Sequence, residues 1–147
     1  MIVRGAFLAL AAIVVAGCDA LPRDPEHTLA NIEARGTIRV GAQDLPPEAM
    51  NLLHGLETAT GASVVVSDGA TEPMLRRLDA GELDLVIAPF VKDTPSMTLA
   101  ALSPAIRSEG NPDDPIEWRA AMRGGENRWI MLVEHQARQV ASEAGTR

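Results

Sequence analysis

Pro73-Met74-Leu75-Arg76-Arg77-Leu78-Asp79-Ala80-Gly81-Glu82-Leu83-Asp84-Leu85-Val86-Ile87-Ala88 is the stretch that decides the fold. Its first half sets Met74, Leu75 and Leu78 at helical spacing behind a proline suited to a first turn, and Gly81 stops it. Its second half, residues 83–88, reads as a strand. The same alternation precedes it. Asp24-Pro25 reads as an N-cap with proline at the first helical position, Leu29 and Ile32 face inward, and Gly36 ends that helix. Thr37-Ile38-Arg39-Val40-Gly41 is then a β-branched strand. Pro46-Pro47 opens a helix with Ala49, Leu52, Leu53, Leu56 and Ala59 on one face and Gly61 as its stop. Ala62-Ser63-Val64-Val65-Val66 is a second strand, an apolar run of the buried type, and Ser67-Asp68-Gly69 turns the chain. Strand, helix, strand, helix, strand predicts an α/β fold: a three-layer arrangement around a mostly parallel sheet with right-handed crossovers.

Beyond Pro89 the pattern is less regular. Residues 100–106 fit a connection or a short edge strand, and residues 108–115, with Gly110, Pro112 and two aspartates, read as a loop. Residues 116–122 carry two signals. Asp114-Pro115-Ile116-Glu117 has the letters of a helix cap, whereas the segment also fits a strand entering the Gly124-Gly125 turn. From Glu126 onward Trp129, Leu132, Val133, Ala137, Val140 and Ala141 form one apolar stripe, a helix docked on the sheet.

The 147 residues leave room for one domain, and 46% apolar content is enough for a single core. Arg4 is the only charge before residue 18; beyond it, 12 basic residues face 20 acidic ones, a net charge of −8. That balance excludes a nucleic-acid binder, which must meet phosphates with clustered Lys and Arg. Two Phe, two Trp and no Tyr offer few platforms for stacked bases. One cysteine excludes an internal disulfide and any multi-cysteine metal centre.

That cysteine closes the leader. Arg4 precedes an apolar run over residues 6–16 that is too short to span a bilayer comfortably, as in a secretory signal. Its exit, Val15-Ala16-Gly17-Cys18, resembles the lipobox of bacterial lipoproteins. The resemblance implies diacylglycerol on the Cys18 sulfur, cleavage before it, and acylation of the new amino terminus by a chain such as palmitate. Several acyl chains give a stable anchor where one is marginal. Asp19 favours the inner membrane, by the rule enteric lipoproteins follow, so the expected location is lipid-anchored and facing the periplasm. The expected organisation is signal peptide 1–17, tether 18–25, lobe 26–142 and tail 143–147.

Several strings then resemble one family. Thr28-Leu29-Ala30-Asn31-Ile32-Glu33-Ala34-Arg35-Gly36-Thr37-Ile38-Arg39-Val40-Gly41 is similar to the opening of periplasmic solute-binding proteins of polar amino-acid ABC transporters. Residues 75–88 resemble that family's L-x-x-L-x-x-G-E-x-D-x-V-I-A. Leu102-Ser103-Pro104 resembles its hinge entry F-S-x-P with one residue missing, and Gly125-Glu126-Asn127-Arg128-Trp129 resembles the G-E-N-x-W that begins a closing helix. Members of the family close two α/β lobes on a solute. Here about twenty residues, 105–124, separate hinge motif from closing motif, too few for a second lobe. The resemblance thus implies a single lobe of a type II periplasmic binding protein, and it favours a strand for residues 116–122. Two departures bear on amino-acid capture. Pro46-Pro47 is followed by Glu48 where relatives carry an aromatic, and Met97 stands after Thr94 where relatives carry a carboxylate-clamping Arg.

Open parallel sheets bind ligands beyond the carboxyl ends of their strands. Those ends supply Gln43 and Asp44, then Ser67 and Asp68, then Lys92, Asp93 and Thr94; Gln43, Asp44, Ser67, Asp68, Lys92 and Thr94 are the candidate ligand-binding residues. The same residues would also cap helices and solvate turns. His54 and Glu57, three apart on a helix, lack the further ligands a metal centre needs, so no metal or cofactor is expected. Asp113-Asp114 is more simply a turn than an acid/base pair. With no nucleophile elbow and no phosphate loop, the chain does not read as an enzyme. Trp129 belongs to the core stripe, whereas Trp118 could lie on the surface that a second lobe would have covered. Two functions follow: a lipid-anchored single lobe that binds a small solute (an amino acid or organic anion) weakly or serves a transporter or sensor, or an interaction lipoprotein that keeps only the fold.

Overall fold

The computed structural model describes residues 24–91 and 100–145. Cys18 and Asp19, with the whole leader and tether up to residue 23, lie outside the described residues, as do Lys92, Asp93, Thr94 and Met97. Elements follow in the order α1 (Thr28–Arg35), β1 (Thr37–Ala42), α2 (Pro47–Thr60), β2 (Ser63–Asp68), α3 (Thr71–Asp79), β3 (Leu85–Phe90), β4 (Ala100–Leu102), β5 (Arg107–Asn111), β6 (Asp114–Arg123) and α4 (Asn127–Gly145). β1 lies parallel between β2 and β3, in registers running from Thr37↔Ser63 to Ala42↔Asp68 and from Val40↔Leu85 to Ala42↔Ile87. The buried-strand reading of residues 62–66 is corrected here: β2 is the sheet's edge, and Val65 and Val66 are exposed because no strand or helix among the described residues covers them. β6 joins the far side of β3 antiparallel, and β4 and β5 both pair with β6.

The layers follow from which residues meet. Ile38, Val40, Leu85, Ile87, Ala120 and Met122 of the sheet pack with Leu29 and Ile32 of α1, Leu52, Leu53 and Leu56 of α2, and Trp129, Val133 and Ala137 of α4. On the other face α3 sets Met74, Leu75 and Leu78 against Val86, Ala88, Phe90 and Ala121. α3 lies close on its strand: a Cβ on Gly41 would sit 2.7 Å from Leu83 Cδ1 and 2.9 Å from Met74 Sδ. Three helices, a sheet and one helix make the three layers read from the sequence.

Residues 116–122 are strand, as the family resemblance favours, because β3 offers them a ladder from Val86↔Ala121 to Phe90↔Glu117. A long-range partner outweighs a local cap signal. Residues 108–115 are a correction. They are no loop but most of a β-hairpin, turning only at Pro112-Asp113, with the Asn111 side chain accepting from the Asp113 N–H. Gly110 takes φ +87°, which its lack of a Cβ permits. β4 and β5 behave as one interrupted strand along β6. Across the gap, Ser103 N–H donates to Ala120 O, Ala120 N–H donates to Ser103 Oγ, and Ile106 N–H donates to Trp118 O. The hinge-like Leu102-Ser103-Pro104 therefore marks the bulge where the strand continues instead of leaving for another lobe.

The first helix begins later than Asp24-Pro25 suggests. It starts at Thr28, with His27 in the left-handed region at φ 53°. Asp24 caps a different helix: its Oδ1 accepts the Arg128 N–H at the start of α4. In return Glu126, fully buried just before α4, accepts the N–H groups of Glu26 and Thr28 at the start of α1, each at 2.8 Å. Each helix start is capped by a carboxylate that precedes the other. Burial raises the Glu126 pKa, but those two N–H groups, the Thr28 hydroxyl and Arg123 together hold it below the usual carboxylate range.

Candidate solute site

Beyond the carboxyl ends of β1 and β3 lies a cleft of about 200 Å³, lined by Gln43, Asp44, Thr71, Ile87, Ala88, Pro89 and Trp118. The sheet builds it. β1 ends at Ala42 and delivers Gln43 and Asp44 before Pro46 N-caps α2, with Pro47 in its first turn. Asp44 holds φ 50°, a left-handed conformation that a short polar side chain tolerates better than most. β3 supplies Ile87, Ala88 and Pro89 along the floor. Thr71, the first residue of α3, brings a helix start to the rim. Trp118 arrives from β6, where the antiparallel register sets it opposite Pro89. The lining offers one carboxylate, one primary amide and one hydroxyl beside the nearly buried Trp118, suited to a small polar solute with a cationic or hydrogen-bond-donating group.

Of the six candidate ligand residues, the structure brings Gln43 and Asp44 into the cleft. Ser67 and Asp68 end β2, next to Gly41 and Ala42 in the ladder, and do not line it. Thr71 and Trp118 are the residues sequence reasoning missed at this site. Trp118 was legible as soon as β6 is placed antiparallel beside β3, since that alone puts position 118 at the rim. The expectation that Trp118 could lie on an open surface is corrected: it is 9% exposed, packs in the core because β6 lies between β3 and β5, and its Nε1–H donates to Glu109 Oε1 at 3.1 Å. Glu109 Oε1 also meets Arg107 Nε at 2.7 Å, and Arg107 Nη1 lies 3.4 Å from Glu48 Oε2. Glu48, at the start of α2, thus reaches the hairpin of β5 and β6 through Arg107.

The remaining motif residues serve the frame. Asp84 is buried at 3% exposure, and its carboxylate takes Arg35 Nη2 at 2.5 Å, Arg39 Nη2 at 2.8 Å and the Arg39 backbone N–H at 2.8 Å. The hydrogen bond to Asp84 is the chief reason the Arg39 pKa lies above its ordinary value. Trp129 is wholly buried and donates its Nε1–H to Asp84 O at 2.8 Å. His54 Nδ1 lies 3.9 Å from Glu57 Oε2 on an exposed helix face, while Glu57 Oε1 accepts the Val64 N–H. Among the described residues no cluster of three metal-ligating side chains occurs, and no helix is long and apolar enough to cross a membrane.

Comparison with solved structures decides the architecture. Domain 1 of TmArgBP in its arginine-bound form superposes with a TM-score of 0.63 at 16% identity, over 74% of this chain and 97% of that one. The fold is that of one lobe of an amino-acid solute-binding protein. A similar match reaches the substrate-binding protein AbpA of an amino-acid ABC transporter from Streptococcus pneumoniae, bound to L-arginine (TM-score 0.63, 11% identity, 79% of this chain and 93% of that one). Another reaches the ancestral amino-acid-binding protein AncCDT-1, a precursor of cyclohexadienyl dehydratase (TM-score 0.66, 13% identity, 80% and 94%). No family model and no curated protein sequence matches. In this lobe, two of the described parallel strands, β1 and β3, end at the cleft of Gln43, Asp44 and Trp118, where the open-sheet rule places ligands.

Proposed function

We propose that this chain is a single-lobe solute-binding lipoprotein, anchored through Cys18, that takes a small cationic amino acid in the cleft beyond β1 and β3. The observation that carries the reading is the pairing of Asp44 and Trp118 in one cleft of about 200 Å³. A carboxylate and an indole together suit an ammonium or guanidinium group on an apolar stem. The arginine-bound state of domain 1 of TmArgBP supports the idea that one such lobe can hold a solute by itself. A lone wall covers less of the solute than a closed pocket does, so the affinity belongs on the order of 1 mM, about −4 kcal/mol. Lys92 and Thr94 complete the proposed rim from the sequence alone. A lobe of this kind would present solute to a membrane transporter or sensor in the periplasm.

Titration calorimetry on the full chain in detergent micelles tests the binding half, with L-arginine, L-glutamate and organic anions as ligands. L-Arginine should bind, and Asp44→Asn should weaken it roughly 10-fold, the loss of one charge-assisted hydrogen bond. Silence across the series removes the solute function and leaves an interaction lipoprotein that keeps the fold. For the anchor, metabolic labelling with a tagged fatty acid should mark the chain and fail for Cys18→Ser; labelling that persists refutes it.

A further inference from the structure

A second cleft lies at the opposite end of the sheet. It measures about 230 Å³ and is lined by Arg35, Arg39 and Arg123, with Thr28, Asn31, Gly81 and Asp84 among its walls. Three guanidinium groups meet there from three elements: the last turn of α1, the start of β1 and the end of β6. The Asp84 carboxylate orients two of them, taking Nη2 of Arg35 and both Nε and Nη2 of Arg39. Arg39 Nη2 also donates to Gly81 O, and Arg35 donates to Thr37 O. Arg123 reaches Thr28 Oγ1 through Nη2 at 3.2 Å, while its Nε is buried without a partner. Its Nη1 lies 2.8 Å from where a Cβ on Gly81 would be, so the absence of a side chain at Gly81 (φ +74°) leaves it room. Among the described residues, no protein acceptor meets the Nη1 group of any of the three.

We propose that this cleft binds a small oxyanion, a phosphate or carboxylate group, at a site separate from the solute rim. One buried carboxylate holds two arginines in fixed orientation, and Glu126 has its oxygens on backbone N–H groups. The three Nη1 groups and the buried Arg123 Nε therefore remain as donors for a ligand whose geometry matches guanidinium. Glu26, exposed on the rim, opposes the ligand, and the charges of Glu82 beside Arg39 and Glu126 beside Arg123 weaken the site further. The proposal stands on these arginines alone and does not depend on the solute reading.

The test follows arginine side-chain N–H signals of the full chain in micelles by NMR while inorganic phosphate, and separately succinate, replaces chloride at constant ionic strength. The expected result is a saturable shift of Arg35, Arg39 and Arg123 signals with a millimolar midpoint. Arg123→Gln should weaken it at least 10-fold and Glu26→Gln should strengthen it, while Arg76→Gln leaves it unchanged. Arg35→Gln, at a partly exposed position, provides the same weakening should Arg123→Gln fail to fold. Adding phosphatidylglycerol vesicles distinguishes the source: shifts displaced by free phosphate identify a lipid headgroup, and shifts obtained with phosphate or succinate alone identify a dissolved ion. The proposal is overturned if the three arginines do not shift in the folded chain, or if the Arg123→Gln and Arg35→Gln variants titrate like the parent.

Discussion

Replacing Glu126 by alanine removes the acceptor of two backbone N–H groups at the start of α1, both at 2.8 Å and one of them wholly buried. Each bond has a charged acceptor, and an unsatisfied N–H costs about 1–3 kcal/mol. Water can reach the Glu26 N–H more readily than the Thr28 N–H, so the two together should cost about 3 kcal/mol. For a lobe of this size that is roughly a 10 °C fall in Tm. Glu126→Gln keeps one carbonyl oxygen and should lose about half as much. The pH dependence gives the same carboxylate a second signature. Its pKa lies below the ordinary value in the folded chain, so its contribution is complete above the unfolded pKa. That contribution disappears as pH falls through the folded pKa, and Glu126→Gln should remove this part of the acid sensitivity. Urea unfolding of the full chain in micelles, followed by tryptophan fluorescence from pH 7 to pH 3, measures both effects. Glu33→Gln, on the exposed face of α1, is the control. If Glu126→Ala falls within about 0.5 kcal/mol of the parent, the crossed capping of α1 and α4 is wrong.

Other substitutions probe the remaining supports. Asp84→Asn should cost about 2–3 kcal/mol in urea unfolding, since it leaves Arg35 and Arg39 without their shared anion; their one-third exposure keeps the figure below that of a fully buried pair. Gly41→Ala should cost about 1–3 kcal/mol by pressing on Leu83 and Met74, and hydrogen exchange should show α3 loosened first. Trp129→Phe keeps most of the buried ring but deletes the donor to Asp84 O, a loss of about 1–2 kcal/mol by thermal unfolding.

The sequence exposed the β/α half of the fold because each element there carries its own punctuation. Gly36 and Gly61 end their helices in the left-handed conformation as their positions suggest, and Pro46-Pro47 opens α2. The hairpin of β5 and β6 was not legible locally. Gly110, Pro112, Asp113 and Asp114 are turn residues, and only pairing with β3, some thirty residues away, makes strands of what surrounds them. Asp24 misled for a related reason: its capping chemistry was read correctly, but its helix begins about a hundred residues later in the chain. At the rim, Gln43 and Asp44 were visible because they follow a parallel strand directly. Thr71 and Trp118 reach the same cleft through a helix start and an antiparallel strand, placements that depend on topology.

The chain has two tryptophans, both packed in the core, of which Trp118 also lines the proposed solute cleft, so its indole N–H spectrum tests the central claim with an internal reference. On titration with L-arginine to 10 times an affinity of roughly 1 mM, the Trp118 signal should move and saturate while the Trp129 signal stays in place. No movement of Trp118, or equal movement of both, would contradict a lone lobe that binds solute at the ends of its parallel strands.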